Sequence, residues 1–115
     1  MTIIKAGKGE PYTPAGHDST VVSRKLFNPA NGSPELDVHI TVFSPGAGMD
    51  EESHERSAHV FYMVSGRLEL LAAGNVVGSL ESGDAVHIPA GEAHQLRNPG
   101  PGDGIFIAMT TLAGA

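Results

Sequence analysis

The chain has 115 residues, room for one domain with its own core and little more. It carries 7 Lys+Arg against 13 Asp+Glu, a formal charge of −6, which argues against a nucleic-acid backbone as partner. With no cysteine there is no disulfide, no thiolate nucleophile and no zinc finger.

Residues 1–20 are polar and rich in Pro and Gly. They read as an N-terminal arm, available to a dimer interface, ahead of a single domain at 21–115. The opening MTIIKAGKGEPYTP has no apolar run long enough for a signal peptide or a membrane span. A soluble, cytoplasmic protein with no membrane partner is the expectation. Strands are expected at Val21–Phe27, Leu36–Phe43, His59–Val64, Leu68–Ala72, Val76–Leu80, Ala85–Ile88, His94–Asn98 and Ile105–Leu112. In ELDVHITVF, Leu36, Val38, Ile40 and Val42 share one face, and Asp37, His39, Thr41 and Phe43 share the other. Gly66 in VSGRL, Gly74 in AAGNVV and Gly83 in ESGDAV read as turn glycines with positive φ. No window sustains a helical period with caps at both ends. Many short strands at near-regular spacing predict an all-β protein, an antiparallel sandwich or barrel.

Chemistry concentrates in GAGMDEESHERSAHVFYMVSG, Gly46–Gly66. Glu52 and His54 point the same way in an extended segment, and a tight turn would bring His59 beside them. Phe61 and Met63 share the His59 face. Carboxylate and imidazole together suit Mn, Fe, Ni, Cu or Zn. A fourth candidate ligand, His94, follows the turn shaped by Pro89 and Gly91. Asp50, Glu51 and Glu55 read as solvated. His87 and His39 are strand histidines of ambiguous facing, and His17 is expected to be exposed on the arm. Arg97 reads as a surface or interface cation, and Asn98 as a residue that fixes a turn.

These spacings resemble the cupin family. Its second motif is glycine, five residues, proline, one residue, glycine, two residues, histidine, three residues, asparagine. Gly83, Pro89, Gly91, His94 and Asn98 match every position. Its first motif is glycine, five residues, histidine, one residue, histidine, three or four residues, glutamate, six residues, glycine. Gly46, Glu52, His54, His59 and Gly66 fall at those spacings, with Glu52 and His59 exchanged in type. Three histidines and one carboxylate remain, so the exchange keeps the character of the ligand set. Taking His54 as the first histidine instead would leave Arg56 as the second, and Arg56 cannot ligate.

The resemblance implies a double-stranded β-helix, a jelly-roll-like cupin barrel of two antiparallel sheets, and a homodimer. It implies one divalent transition metal held by Glu52, His54, His59 and His94. Phe61, Met63, Leu96 and His87 are the candidate pocket residues. A small-molecule partner is expected, a diketone, keto acid or phenolic compound. Three functions compete. One is a metal-dependent enzyme, with dioxygenase chemistry slightly ahead of isomerase or lyase chemistry and Glu52 as both ligand and base. The others are a non-catalytic cupin that binds or senses a small, sugar-type ligand, and a structural domain with a vestigial site. The retained ligand set favours the first over the third.

Overall fold

The computed structural model describes residues 1–33 and 35–111. Among the described residues nine strands form two antiparallel sheets. They are β1 (Glu10–Tyr12), β2 (Val22–Phe27), β3 (Leu36–Phe43), β4 (His59–Ser65), β5 (Arg67–Ala72), β6 (Asn75–Glu81), β7 (Ala85–Ile88), β8 (Gln95–Arg97) and β9 (Gly104–Thr111). The larger sheet runs β1-β2-β3-β9-β4-β7 and the smaller β6-β5-β8. This is the two-sheet jelly-roll barrel expected of the sequence. Leu112, the last residue of the expected final strand, lies outside the described residues. Between β2 and β3 a single 3-10 turn spans Pro29–Asn31. Asn28 caps it, its side-chain oxygen accepting from Ala30 N at 2.9 Å. Asn31 answers by accepting from Asn28 N at 2.8 Å.

Alternation places one side of each strand in the core. His59, Phe61 and Met63 of β4 face inward, while Tyr62 and Val64 face out. Phe106 and Ala108 of β9, Phe43 of β3, Leu68 of β5 and Leu96 of β8 meet them between the sheets. A register shift between Leu70 and Leu71 of β5 lets Leu71 be buried as Leu68 is.

On β3 the face that turns inward is the more polar one. Thr41 and Phe43 are buried, whereas Leu36 is 46% exposed. The inward hydroxyl is satisfied: Thr41 Oγ1 and Ser23 Oγ of β2 hydrogen-bond at 2.6 Å. Phe43 packs on Phe106, with ring centroids 5.9 Å apart.

The arm is an edge strand of its own chain's sheet. β1 pairs antiparallel with β2, Glu10 opposite Lys25 and Tyr12 opposite Ser23. Residues beyond it cross the barrel mouth, where His17 bridges to Met49. Among the described residues, no helix is long and apolar enough to cross a membrane.

Candidate metal centre

The segment after Gly46 is irregular, but its backbone is pinned on both sides. Gly48 pairs with Arg97 and Glu52 with His94 as isolated antiparallel bridges. Glu52 N donates to His94 O, and His94 N donates to Glu52 O, each at 2.9 Å. Ligands forty-two residues apart in sequence are thus set side by side by main-chain bonds. Gly91 N donates to His54 O at 2.8 Å, which ties His54 to the same downstream turn.

One ligand atom each from Glu52, His54 and His94 lies within 4.8 Å of the others. The Nε2 atoms of His54 and His94 stand 3.3 Å and 3.5 Å from Glu52 Oε1. His59 enters from β4, its ring centroid 4.4 Å from that of His54 and 5.6 Å from that of His94. The Nε2 atoms of His54, His59 and His94 are all buried with no hydrogen-bond partner. An orphaned buried polar atom costs about 1–3 kcal/mol. Three of them beside one carboxylate form a donor set that a transition-metal ion would satisfy, so the residues fit such a metal.

The opposite ring nitrogens of His94 and His59 have partners of their own. His94 Nδ1 donates to Glu92 O at 3.2 Å. His59 Nδ1 and Thr110 Oγ1 of β9 are 3.0 Å apart. With Nδ1 engaged, Nε2 is left to bind a metal. Burial works against ionisation of Glu52, but the adjacent His94 and His54 outweigh it and lower its pKa to about 2. Burial, then the neighbouring His54 and His94, depresses the His59 pKa to about 4. Burial also opposes a charge on His94, yet contact with Glu52 and the Glu92 carbonyl raises its pKa above the usual value. The site therefore offers one permanent anion and imidazoles that must be neutral to ligate.

Glu52, His54 and His59 border a cavity of about 240 Å³, which also touches Tyr12, His17, His39, Thr41, Met49, Phe61, Leu96 and Phe106. Phe61 and Leu96 line this cavity. Met63 and His87 are corrections. Met63 lies on the Phe61 face but two residues deeper, fully enclosed in the core. His87 pairs with Val60, so it takes the outer side of β4 and β7 and is exposed, away from this cavity. His17 is half-buried rather than free, its ring edge-on to Phe43 at 5.8 Å. Sequence reasoning missed Tyr12 and left His39 undecided. The signal for His39 was its place on the Thr41/Phe43 face.

Asp50, Glu51 and Glu55 are exposed. Arg97 is exposed too and pairs with Glu69 at 3.1 Å. Asn98 is a turn residue. Its Nδ2 donates to Phe43 O and Gly102 O at 2.8 Å, and its Oδ1 accepts from Gly100 N at 2.7 Å.

Fold and sequence agree on the family. The family model described as "Cupin domain" matches residues 39–110. The chain belongs to the cupin domain family. Its curated relatives include the xanthan biosynthesis protein XanB of Xanthomonas campestris, 31% identical over 93 residues, 75% of this chain and 20% of that protein. The alginate biosynthesis protein AlgA of Pseudomonas putida is 39% identical over 62 residues, 54% of this chain and 12% of that protein. The chain thus spans a fifth or less of these relatives' length. Among solved structures, the polyketide cyclase RemF of Streptomyces resistomycificus superposes with a TM-score of 0.87 at 19% identity. That match covers 100% of this chain and 82% of RemF. A predicted oxalate decarboxylase of Thermotoga maritima gives 0.82 at 21% identity, over 96% of this chain and 99% of that one.

Proposed function

We propose that this protein is a metal-dependent enzyme that transforms a small oxygenated organic anion, a keto acid or an enolisable diketone or phenol. The observation that carries this reading is the group of three buried, unpartnered Nε2 atoms around Glu52, at one end of a largely apolar cavity. Glu52, His54, His59 and His94 would hold one divalent ion of Fe, Mn, Ni, Zn or Cu. Such an ion supplies Lewis acidity, and with Fe also a means of engaging dioxygen. Glu52 is the only carboxylate among the ligands, so the loaded site keeps net positive charge and attracts an anion. Phe61, Leu96 and Phe106 keep the reacting end dry, which strengthens that attraction. Thr110 and the Glu92 carbonyl hold the His59 and His94 rings in the ligating orientation.

The test begins with protein purified without added metal, whose metal is identified and restored. Diketones, keto acids and phenols are then screened with oxygen uptake and product formation followed together. Turnover without oxygen uptake supports proton-transfer or carbon–carbon chemistry and removes the dioxygenase form. Coupled uptake assigns a dioxygenase. Tight binding without turnover in metal-replete protein makes this a binding or sensing module instead.

A homodimer accompanies this reading. The outer face of the larger sheet carries Val22, Leu36, Tyr62, Val64 and Met109, each 39–46% exposed. Val38, Ile40, Ile105 and Ile107 lie among them. Arg24 and His87 share this otherwise apolar sheet face, a surface that a second copy would cover.

A further inference from the structure

The ligand cluster occupies one end of the cavity, and a second pair of titratable groups stands across from it. His39 and Asp37 lie two residues apart on the inner face of β3. His39 Nδ1 is 3.2 Å from Asp37 Oδ1. The carboxylate accepts the Nδ1 proton and leaves Nε2 as the basic nitrogen, on a ring that lines the cavity.

The sheet register fixes where this pair stands relative to the metal centre. Asp37, Thr110 and His59 form one row across β3, β9 and β4, and His39, Ala108 and Phe61 form the next. Neighbouring strands are about 4.8 Å apart, so His39 faces the His59 end across roughly 10 Å. In the His39 row β9 contributes the Ala108 methyl, and in the His59 row it contributes Thr110, whose hydroxyl is engaged with His59 Nδ1. A small organic anion fits that gap, its oxygens toward the ligands and its carbon chain toward His39.

We propose that His39, oriented by Asp37, is the base that moves a proton on a substrate whose oxygens are held at the Glu52/His54/His59/His94 end. This rests on the enzymatic reading above. The C–H bond next to the carbonyl breaks, and its proton passes to His39 Nε2. The electron pair moves onto the carbonyl oxygen to give the enolate. Return of a proton to the same carbon exchanges that hydrogen, and in an enolate conjugated with a further double bond, return to the far end of that double bond shifts it and completes an isomerisation; either return restores the base. The other groups facing His39 are not rivals for the role. Lys25, its register partner on β2, directs its ammonium over the Tyr12 ring at 5.1 Å. Tyr12 of β1 sets its ring edge-on to His39, with centroids 6.3 Å apart. Burial and then the Asp37 charge raise its phenol above the usual value, against a smaller opposing effect of Ser23, so it stays protonated. Across β9, His59 belongs to the ligand set.

The experiment uses zinc-loaded protein in D2O with 2-oxobutanoate as probe, following loss of its C3 proton signal by NMR. Wild type is expected to accelerate exchange, His39→Gln to slow it about 100-fold, and Asp37→Asn about tenfold. Zinc content and the KM for the probe should stay unchanged. Long-range proton–nitrogen spectra of the zinc-free protein should show His39 protonated at Nδ1 in wild type and lose that preference in Asp37→Asn. Wild-type exchange that persists in His39→Gln, or an Nε2-protonated ring in wild type, overturns the role of His39 alone. No wild-type exchange above that of zinc-free protein overturns the enolate reading and His39 with it.

Discussion

Glu52 and His94 share a pair of backbone hydrogen bonds, which hold the two residues side by side. Backbone pairing also makes the individual ligands testable by side-chain truncation. His54→Ala and His94→Ala should each lower metal affinity at least about tenfold, a loss comparable to or above that of removing an outer-shell partner. His17→Ala should leave it unchanged, because His17 touches the cavity but not the ligand cluster. Metal analysis after dialysis against a weak chelator reads both effects. The pH dependence has a definite sign. Glu52, with its pKa near 2, stays ionised throughout the working range, and His59, near 4, is already neutral there. His94 is shifted upward, so its proton competes longest. Affinity should fall as pH drops through and below the raised His94 pKa, with about one proton released per ion bound. A flat profile from pH 8 to pH 5.5 (about the range over which imidazoles ordinarily titrate) would remove His94 from the ligand set.

The elements that carry the ligands are joined at glycines whose backbone no other residue adopts easily. Gly46, Gly66, Gly83 and Gly91 all have φ between 77° and 90°. They are also the four motif glycines, so the spacing that marks the family in sequence marks left-handed turns in space. At Gly66 there is a second constraint. A Cβ there would meet the Asp103 carbonyl oxygen in the turn before β9, whereas at Gly46 it would meet nothing within 4 Å. The two substitutions therefore separate backbone strain from collision. Gly46→Ala should cost about 1–2 kcal/mol, the left-handed penalty alone. Gly66→Ala should cost more than that, because the β4–β5 turn or the Asp103 backbone must also move. Denaturant melts of the two variants measure the difference, and equal losses would mean that the Gly66 turn yields freely.

At the scale of the whole molecule, the inward face of the larger sheet serves the cavity and the outward face is left largely apolar. β1 caps the open edge at β2 within its own chain, so the arm leaves that edge covered rather than offering it to a neighbour. The proposed dimer would accordingly use the sheet face. Light scattering at micromolar concentration should give twice the chain mass of 11.9 kDa. The double variant Tyr62→Glu/Met109→Glu should shift it toward one chain while metal content is kept, since both residues lie on the side opposite the site. A monomer at all micromolar concentrations in the unmodified protein would end the dimer proposal.

What the linear order of residues determined by itself is everything set by short-range spacing. Short Val-, Ile-, Phe- and Thr-rich segments between turns located eight of the nine described strands, and the motif spacing singled out Glu52, His54, His59 and His94 because chain geometry between fixed glycine turns is nearly rigid. Phe61 and Leu96 followed from their alternation with those ligands. What only the tertiary structure decided is which side of each strand is inside. Alternation defines two faces of β3 but not their sense, and the more apolar one lies outside. Strand pairing turned His87 outward through its register with Val60, and depth in the barrel withdrew Met63 from the cavity. The same long-range pairing brought Tyr12 from the arm and His39 from β3 to the wall facing the ligands. Residues that far apart in the chain meet only when the sheets close, because nothing in their local sequence encodes which strands become neighbours.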